Sequence, residues 1–552
     1  MKMRIRMVLG VLLGIIIMTV PITYGAERFF PIDQVKPGMK GEALTVFHGT
    51  QIAKFTVKVL AVVDSDFDAG KLILVRLDGK KIRECGGLAA GMSGSPVYIK
   101  GALAGAISYG FENADPFLAY VTPIQAMMQL LDNCTKMEYF TYYRNGKKLF
   151  PVATPVIISG TGRRVFGRLS DSFRQWGLQA VYLSETRGMN SSSHPVVPFK
   201  PGSAVAVQLV AGDYRAAAIG TVTLVDGKRF LAFGHSFTNK GMVDFLAYQA
   251  EIHHVVKSPV LPMKLGNALY PVGRIYVDRH NGIAGSLDEF PAMIDVAVNI
   301  KDVERDRLFH RDFRVINHEQ FYRELITEVA AAAVDQAIDR VGMGTARITF
   351  KISTKDNPVP FIRDNLVYSK DIGVSVFKEL DTVLEAYASN EFSSARPCSV
   401  QIDVQIENRN ATAKIQKLEV DRTKARPGES INAKVYLHAY RGADFSKSFT
   451  VKIPDSLIPG KFVLSVRGGS EKKTETDESS KAVSWSSQSP IGSFEQLLEN
   501  LSDKPKNNEL VLEVAEIKTT PSGSEPVKPV RLKVSTDFYL TGQVRQELEI
   551  EK

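Results

Sequence analysis

Most of this sequence is written in short alternating runs separated by glycines, and that pattern restricts the chain to a mainly β fold. Lys54 to Val59 alternates polar and apolar residues strictly, Lys71 to Leu77 is a short apolar strand, and Val97 to Ile99 and Leu103 to Tyr109 flank a Lys100-Gly101 turn. A helix from Ile124 to Leu131, starting after Thr122-Pro123, closes this first β unit at residues 27–135. A second β unit spans 150–300, with a hairpin signal at Asp226-Gly227 between Gly220 to Val225 and Arg229 to Phe233, and Phe233-Gly234-His235-Ser236 at its centre. The long helix pattern runs from Asn317 to about Arg340 within a mixed connecting region, 301–397. Asn317 is expected to cap it, Gly342 and Gly344 to stop it, and Ala330 to Ala333 to pack closely on the β units. Clean alternation returns in Gln401 to Glu407, Ala433 to Leu437, Phe449 to Ile453 and Phe462 to Val466. Residues 398–552 therefore read as a C-terminal β-sandwich of immunoglobulin-like type, interrupted by a flexible segment, 468–489, rich in Ser, Lys and Glu. At 552 residues the chain exceeds one ordinary core and is expected to divide into three or four domains.

The N-terminus follows another grammar. Lys2, Arg4 and Arg6 precede an apolar run from Met7 to Val20, and small residues follow near Gly25 and Ala26. That order is a secretory signal over residues 1–26, so the protein is expected to be exported, periplasmic or extracellular, with N-terminal membrane anchoring the alternative if the signal is retained. The formal net charge is +9, of which three charges lie in the signal, leaving +6 on the mature chain. Its Lys and Arg residues are dispersed over strand faces without interleaved aromatics, so nucleic acid is not an expected partner. Three distant cysteines, Cys85, Cys134 and Cys398, allow at most one disulfide in an oxidising compartment. No Cys/His metal spacing and no His-Glu-x-x-His helix occurs, and the local cluster Glu251, His253 and His254 is not read as a metal site; no cofactor is expected.

The sharpest chemical signal is Gly91-Met92-Ser93-Gly94-Ser95-Pro96, followed by a hairpin that ends in Ser108-Tyr109-Gly110. Five constrained positions give about one chance match per thousand chains of this length. A nucleophilic serine needs its Oγ projected from a tight turn that also aims backbone N–H groups at a substrate carbonyl. Gly91 can adopt the backbone angles that open such a pocket, and Gly94 clears space behind the hydroxyl. Ser93 is thus the expected nucleophile, with the Gly91 and Ser93 N–H groups as oxyanion donors. The competing reading is a glycine-rich turn with no chemistry. Cys85, eight residues before Ser93, reads as a buried spacer thiol.

This string and its hairpin resemble the nucleophile half of trypsin-like serine peptidases, and more closely the sporulation stage IV B (SpoIVB) peptidase family. The resemblance implies a mainly β fold: a trypsin-like double β-barrel peptidase core with the long helix and the C-terminal sandwich appended. It further implies a glycine-flanked histidine and an aspartate about fifteen residues before the serine. His235, in Gly234-His235-Ser236, and Asp78, fifteen positions before Ser93, match by position. Here the histidine segment follows the serine segment, whereas in the sporulation peptidases it precedes it; a triad is defined by geometry, so the permutation is allowed. His48 competes with His235 as the base, Asp244 competes with Asp78 as the third member, and Asp78-Gly79 also reads as a hairpin turn.

Two functions remain open at this point. One is a secreted serine endopeptidase that cleaves protein or peptide chains through an acyl-enzyme, with Ser108, Tyr109 and Gly110 as an edge strand that pairs with the substrate. The other is a non-catalytic cell-envelope scaffold or binding protein that retains the peptidase shape, docking a partner through the C-terminal domain.

Overall fold

The computed structural model describes residues 27–551 except 66–68, 112–113, 133–149, 152–153, 184–196, 259–261, 456, 472–490 and 517–529. The signal segment and Cys134 lie outside the described residues, as does nearly all of the segment expected to be flexible.

Six strands near the N-terminus pair into a closed ring: β1 (Lys40–His48), β2 (Gln51–Asp64), β3 (Lys71–Asp78), β4 (Pro96–Ile99), β5 (Ala102–Gly110) and β6 (Leu118–Pro123). The order is β4-β1-β2-β3-β6-β5, and the β4–β5 pairing closes it. The alternation in the sequence is what turns one strand face inward: within β2, Phe55, Val57 and Val59 are buried while Lys54, Thr56 and Lys58 are exposed. Lys100 and Gly101, both at positive φ, make the tight β4–β5 turn. Between β3 and β4 lies a short helix, α1 (Lys80–Cys85), and α2 (Ile124–Asp132) follows β6. A two-residue strand, β7 (Phe150–Pro151), pairs with Tyr109 and Gly110 of β5.

After β8 (Val156–Ser159), helix α3 (Arg163–Gln175) and β9 (Ala180–Leu183), a second ring forms. Its strands are β10 (Ala204–Gly212), β11 (Arg215–Asp226), β12 (Arg229–Ala232), β13 (Gly241–Val256), β14 (Met263–Arg279) and β15 (Gly282–Leu287). They pair in the order β10-β13-β14-β15-β12-β11, and the β10–β11 pairing closes the ring. The rings meet along a shared apolar layer in which Ala43 and Val46 of the first pack with Ala206, Ile219, Leu246 and Ile252 of the second. Backbone bridges at Gly49–Ile252 and Ala90–Met263 cross the same seam. The molecule is therefore mainly β, with two barrel-like rings in contact.

The second ring continues past its closure, because β10 also pairs with β17 (Arg307–Ile316), which follows β16 (Met293–Asp302) in the chain. The sheet then extends through β16 and β20 (Pro397–Glu407) to β18 (Gly344–Thr354) and β19 (Phe361–Ser369). The alternation at 401–407, read above as the opening of the C-terminal sandwich, belongs here: β20 runs parallel to β16 and antiparallel to β18. A period of two says that one face is buried but not in which sheet. Helix α4 (Tyr322–Ile338) covers this extension, and Ala330 to Ala333 are all buried, at 0–3% exposure. It starts later than the sequence indicates. The Asn317 side chain donates instead to the Pro397 carbonyl, and the His318 carbonyl accepts from the Phe321 and Tyr322 N–H groups. Beyond residue 411 a four-stranded and a five-stranded sheet share one core around Ile431, Val435, Leu464 and Leu512.

Candidate functional site

Ser93 lies on the connection from α1 to β4, in the first ring. Its turn is held from within: Met92 N–H donates to the Ala89 carbonyl at 2.9 Å, Ser95 donates to the Met92 carbonyl from both N–H (3.0 Å) and Oγ (2.6 Å), and Gly94 N–H donates to the Ile107 carbonyl at 2.7 Å. The Gly91 and Ser93 N–H groups take no part in these bonds and engage no described residue. A trans peptide points N–H opposite to the preceding carbonyl. Since the Ala90 carbonyl is held by Lys264 N–H (2.9 Å) and the Met92 carbonyl by Ser95, both free N–H groups face away from those partners.

The second ring supports this turn from outside. Thr221 N–H donates to the Ser93 carbonyl at 2.8 Å, and Thr223 Oγ1 donates to the Gly94 carbonyl at 2.8 Å. Gly94 has φ +88°, and a β-carbon there would run into the Thr221 carbonyl oxygen and the Phe233 amide nitrogen. Only glycine permits so close an approach.

His235 is on the turn that leaves β12. Phe233 and Gly234 have φ of 71° and 70°, two successive left-handed residues that swing the chain sharply toward the first ring. A β-carbon on Gly234 would come within 3.2 Å of Ala106 Cβ, the Ile107 carbonyl oxygen and Ser108 Cβ. Thr122 Oγ1 of β6 donates to the Gly234 carbonyl at 2.7 Å. The residue after Ser93 thus abuts Phe233, and the residue before His235 abuts Ile107 and Ser108. The structure brings these two sequence-predicted partners onto neighbouring turns at the seam.

Both side chains are enclosed. Ser93 is 0% exposed, its Oγ has no hydrogen-bond partner among the described residues, and His235 is 1% exposed between Phe233 and Tyr109, with ring centroids 5.9 and 6.1 Å away. His235 Nδ1 lies 2.7 Å from the Ser236 carbonyl oxygen. A carbonyl can only accept, so Nδ1 carries the proton and Nε2 is the basic nitrogen in the neutral ring.

The remaining candidates lie elsewhere. Asp78 ends β3 with its carboxylate exposed, bound to Arg83 and to the Gly79 N–H (2.7 Å). Asp78-Gly79 leads into α1 rather than making a hairpin, because Gly79 at φ +122° precedes the helix start. Asp244 pairs with Arg274 at 3.2 Å, and burial pushes its carboxyl up. His48 is exposed, with Nδ1 2.9 Å from the His253 carbonyl. Cys85 is buried, as a spacer thiol would be, and burial raises its pKa. Ser108 is 0% exposed, and the outer edge of Tyr109 and Gly110 is taken by β7 of the chain itself, so the edge expected to receive a substrate is already paired.

Two groups escaped sequence reasoning. Asp278, fully buried at the end of β14, accepts from Phe237 N–H (2.7 Å), Thr238 N–H (2.6 Å) and Thr238 Oγ1 (2.7 Å), and so fastens the turn carrying His235; burial pushes its carboxyl up. Lys264, 1% exposed on β14, donates from Nζ to Thr45 Oγ1 at 2.7 Å and Thr221 Oγ1 at 3.2 Å, and burial lowers its pKa to about 7. Neither residue sits in a motif, and their partners are 40 or more positions away.

Residues 27–128 match the family model described as SpoIVB peptidase S55. The match spans the first ring and contains Ser93, so the resemblance read from the nucleophile turn holds for that segment. It ends more than a hundred residues before His235. No curated protein and no solved structure matches the chain.

Proposed function

We propose that this protein is an exported serine endopeptidase that cleaves protein or peptide chains, with Ser93 as nucleophile and His235 as general base. One observation carries the reading: the SpoIVB peptidase S55 segment presents Ser93 on a turn with two unengaged N–H groups, and the second ring presses the His235 turn directly against it. In this mechanism Ser93 Oγ attacks the scissile carbonyl carbon as His235 Nε2 takes its proton. The Gly91 and Ser93 N–H groups receive the oxyanion, and His235 then returns the proton to the departing amine. Water, activated by the same imidazole, releases the acyl group from Ser93. The Ser236 carbonyl sets the tautomer, the task a carboxylate performs in a full triad, and Asp278 acts one step further out by fixing the turn.

The enclosed hydroxyl and the paired β5 edge mean that a substrate chain is admitted only when β7 yields its place beside Tyr109 and Gly110. Those same two observations favour the second reading, a scaffold that kept the peptidase shape. The basic, apolar, small-residue order at the N-terminus supports export, with the periplasm, the exterior and a retained anchor all compatible with it. On our reading the C-terminal sandwich is immunoglobulin-like and docks a cell-envelope partner.

The deciding experiment is a fluorophosphonate label on the purified mature chain. Wild type labelled at Ser93, with Ser93→Ala unlabelled, supports the enzyme; a folded wild type that resists the label and hydrolyses no ester supports the scaffold.

A further inference from the structure

The Ser93–His235 pair leaves one buried amine unused, and that amine sits directly behind the oxyanion turn. The stem of Lys264 lies against Gly91, where an added β-carbon would be 3.2 Å from its Cδ and 3.3 Å from its Cβ. Its Nζ joins two hydroxyls, Thr45 from the first ring and Thr221 from the second. Thr221 passes the contact on, donating from Oγ1 to the Gly91 carbonyl at 3.0 Å and from N–H to the Ser93 carbonyl at 2.8 Å. Lys264 N–H holds the Ala90 carbonyl at 2.9 Å. Three carbonyls of the turn, at positions 90, 91 and 93, are therefore fixed by two residues of the second ring.

Carbonyl direction decides N–H direction across a planar peptide. Gly91, at φ +88°, has no side chain to resist a flip of either peptide it joins. The Lys264 N–H on the Ala90 carbonyl blocks the flip that would turn the Gly91 N–H away from an oxyanion, and the Thr221 hydroxyl on the Gly91 carbonyl fixes the next peptide, so Gly91 is held from both sides. The anchoring amine also needs both rings in place, since one of its acceptors comes from each. Among the described residues, Cys85 of α1 is the titratable group that acts on it, and no described carboxylate does.

We propose that Lys264 and Thr221 are positioning residues for the oxyanion turn, holding Gly91 on both sides so that its N–H keeps the donor orientation only when the two rings are docked. This rests on the peptidase reading above. A clamp that merely stabilised the seam would affect melting temperature and leave turnover per folded molecule intact.

The test uses the mature chain and five forms: wild type, Thr221→Val, Thr221→Ser, Lys264→Met and the double variant Thr221→Val with Lys264→Met. Fluorophosphonate labelling rate, kcat and KM on a small ester, and melting temperature are read on each. Thr221→Val keeps shape and removes the hydroxyl, so kcat and the labelling rate should fall about tenfold to a hundredfold with KM within about twofold. Thr221→Ser should restore most of the loss. Lys264→Met should lower kcat similarly, and the double variant should add little, because both act through one carbonyl. Thr221→Val at wild-type kcat, or Thr221→Ser no better than Thr221→Val, overturns the positioning role while leaving the peptidase intact. A folded wild type inert to probe and ester overturns the peptidase reading and this role together.

Discussion

The two rings hold their turns by different chemistry. In the first, the Ser93 turn is a backbone construction: its own carbonyls and amides close it, and glycines at 91 and 94 supply the left-handed angles. In the second, the His235 turn is fastened by buried side chains from distant strands: the Asp278 carboxylate collects two backbone N–H groups and a hydroxyl, and Thr122 Oγ1 holds the Gly234 carbonyl. A turn made of backbone must be written in consecutive residues, so it leaves a motif. A turn tied by distant side chains leaves only its own glycine, Gly234, to be read. The family match follows this division, covering the ring with the motif and stopping before the other.

The largest effect should come from the serine itself. Ser93→Ala should remove turnover by several powers of ten. Ser95→Ala loses one hydrogen bond to the Met92 carbonyl within the turn and should retain much of the labelling. If Ser95→Ala were inert and Ser93→Ala active, the two serines would exchange roles and the account of the first ring would collapse.

His235→Ala should cost turnover on the same scale, whereas Asp78→Asn should change it by less than about twofold. The Asp78 carboxylate is exposed and engaged with Arg83, an arrangement that contributes little. Comparing kcat of the two variants on a small ester decides whether position in the sequence or position in the fold identifies the partners of Ser93. An Asp78→Asn enzyme as damaged as His235→Ala would restore the aspartate implied by the family resemblance.

This contrast marks how far the sequence could be read. Hydrophobic alternation carries the strands, the Lys100-Gly101 and Asp226-Gly227 turns and α2, because each depends on neighbours along the chain. The turns that carry Ser93 and His235 were visible through their glycines. The assignment of β20 to the extended sheet was not, since Gln401 to Glu407 alternates identically whichever sheet receives it. The start of α4 was missed because the Asn317 side chain is drawn to Pro397, eighty residues on. The capture of the Tyr109–Gly110 edge by Phe150–Pro151 is likewise a contact between distant segments.

Asp278→Asn probes the second ring alone. An amide can accept through one oxygen, while its NH2 group faces donors that the carboxylate satisfied. The expected cost is about 1–3 kcal/mol of stability, with a fall in kcat as the His235 turn loosens. Reactivity of Ser93 toward a small probe should fall less than ester turnover, because the first ring's turn does not depend on this carboxylate. Equal losses in both would mean that the two turns are one cooperative unit and that the contrast between rings is only local.

The smallest effect is a pH slope where the rings meet. Burial holds the Lys264 amine at a pKa of about 7, below the ordinary lysine value near 10.5. Between these values the unfolded chain carries a proton on this residue that the folded chain does not. Stability attributable to it therefore rises with pH, from a minimum below about pH 7 to a plateau above about 10.5. The slope cannot exceed about 1.4 kcal/mol per pH unit. In a chain of this size that is about one or two degrees of melting temperature per unit. Lys264→Met removes the titration, so the melting temperature of wild type minus that of the variant should climb from pH 7 to pH 9. A difference that stays flat would mean that water or a carboxylate reaches the amine and holds its charge. One that falls with pH would mean that the cation is favoured in the folded state, and the seam would then be an ion-pair junction rather than a dry contact between two rings.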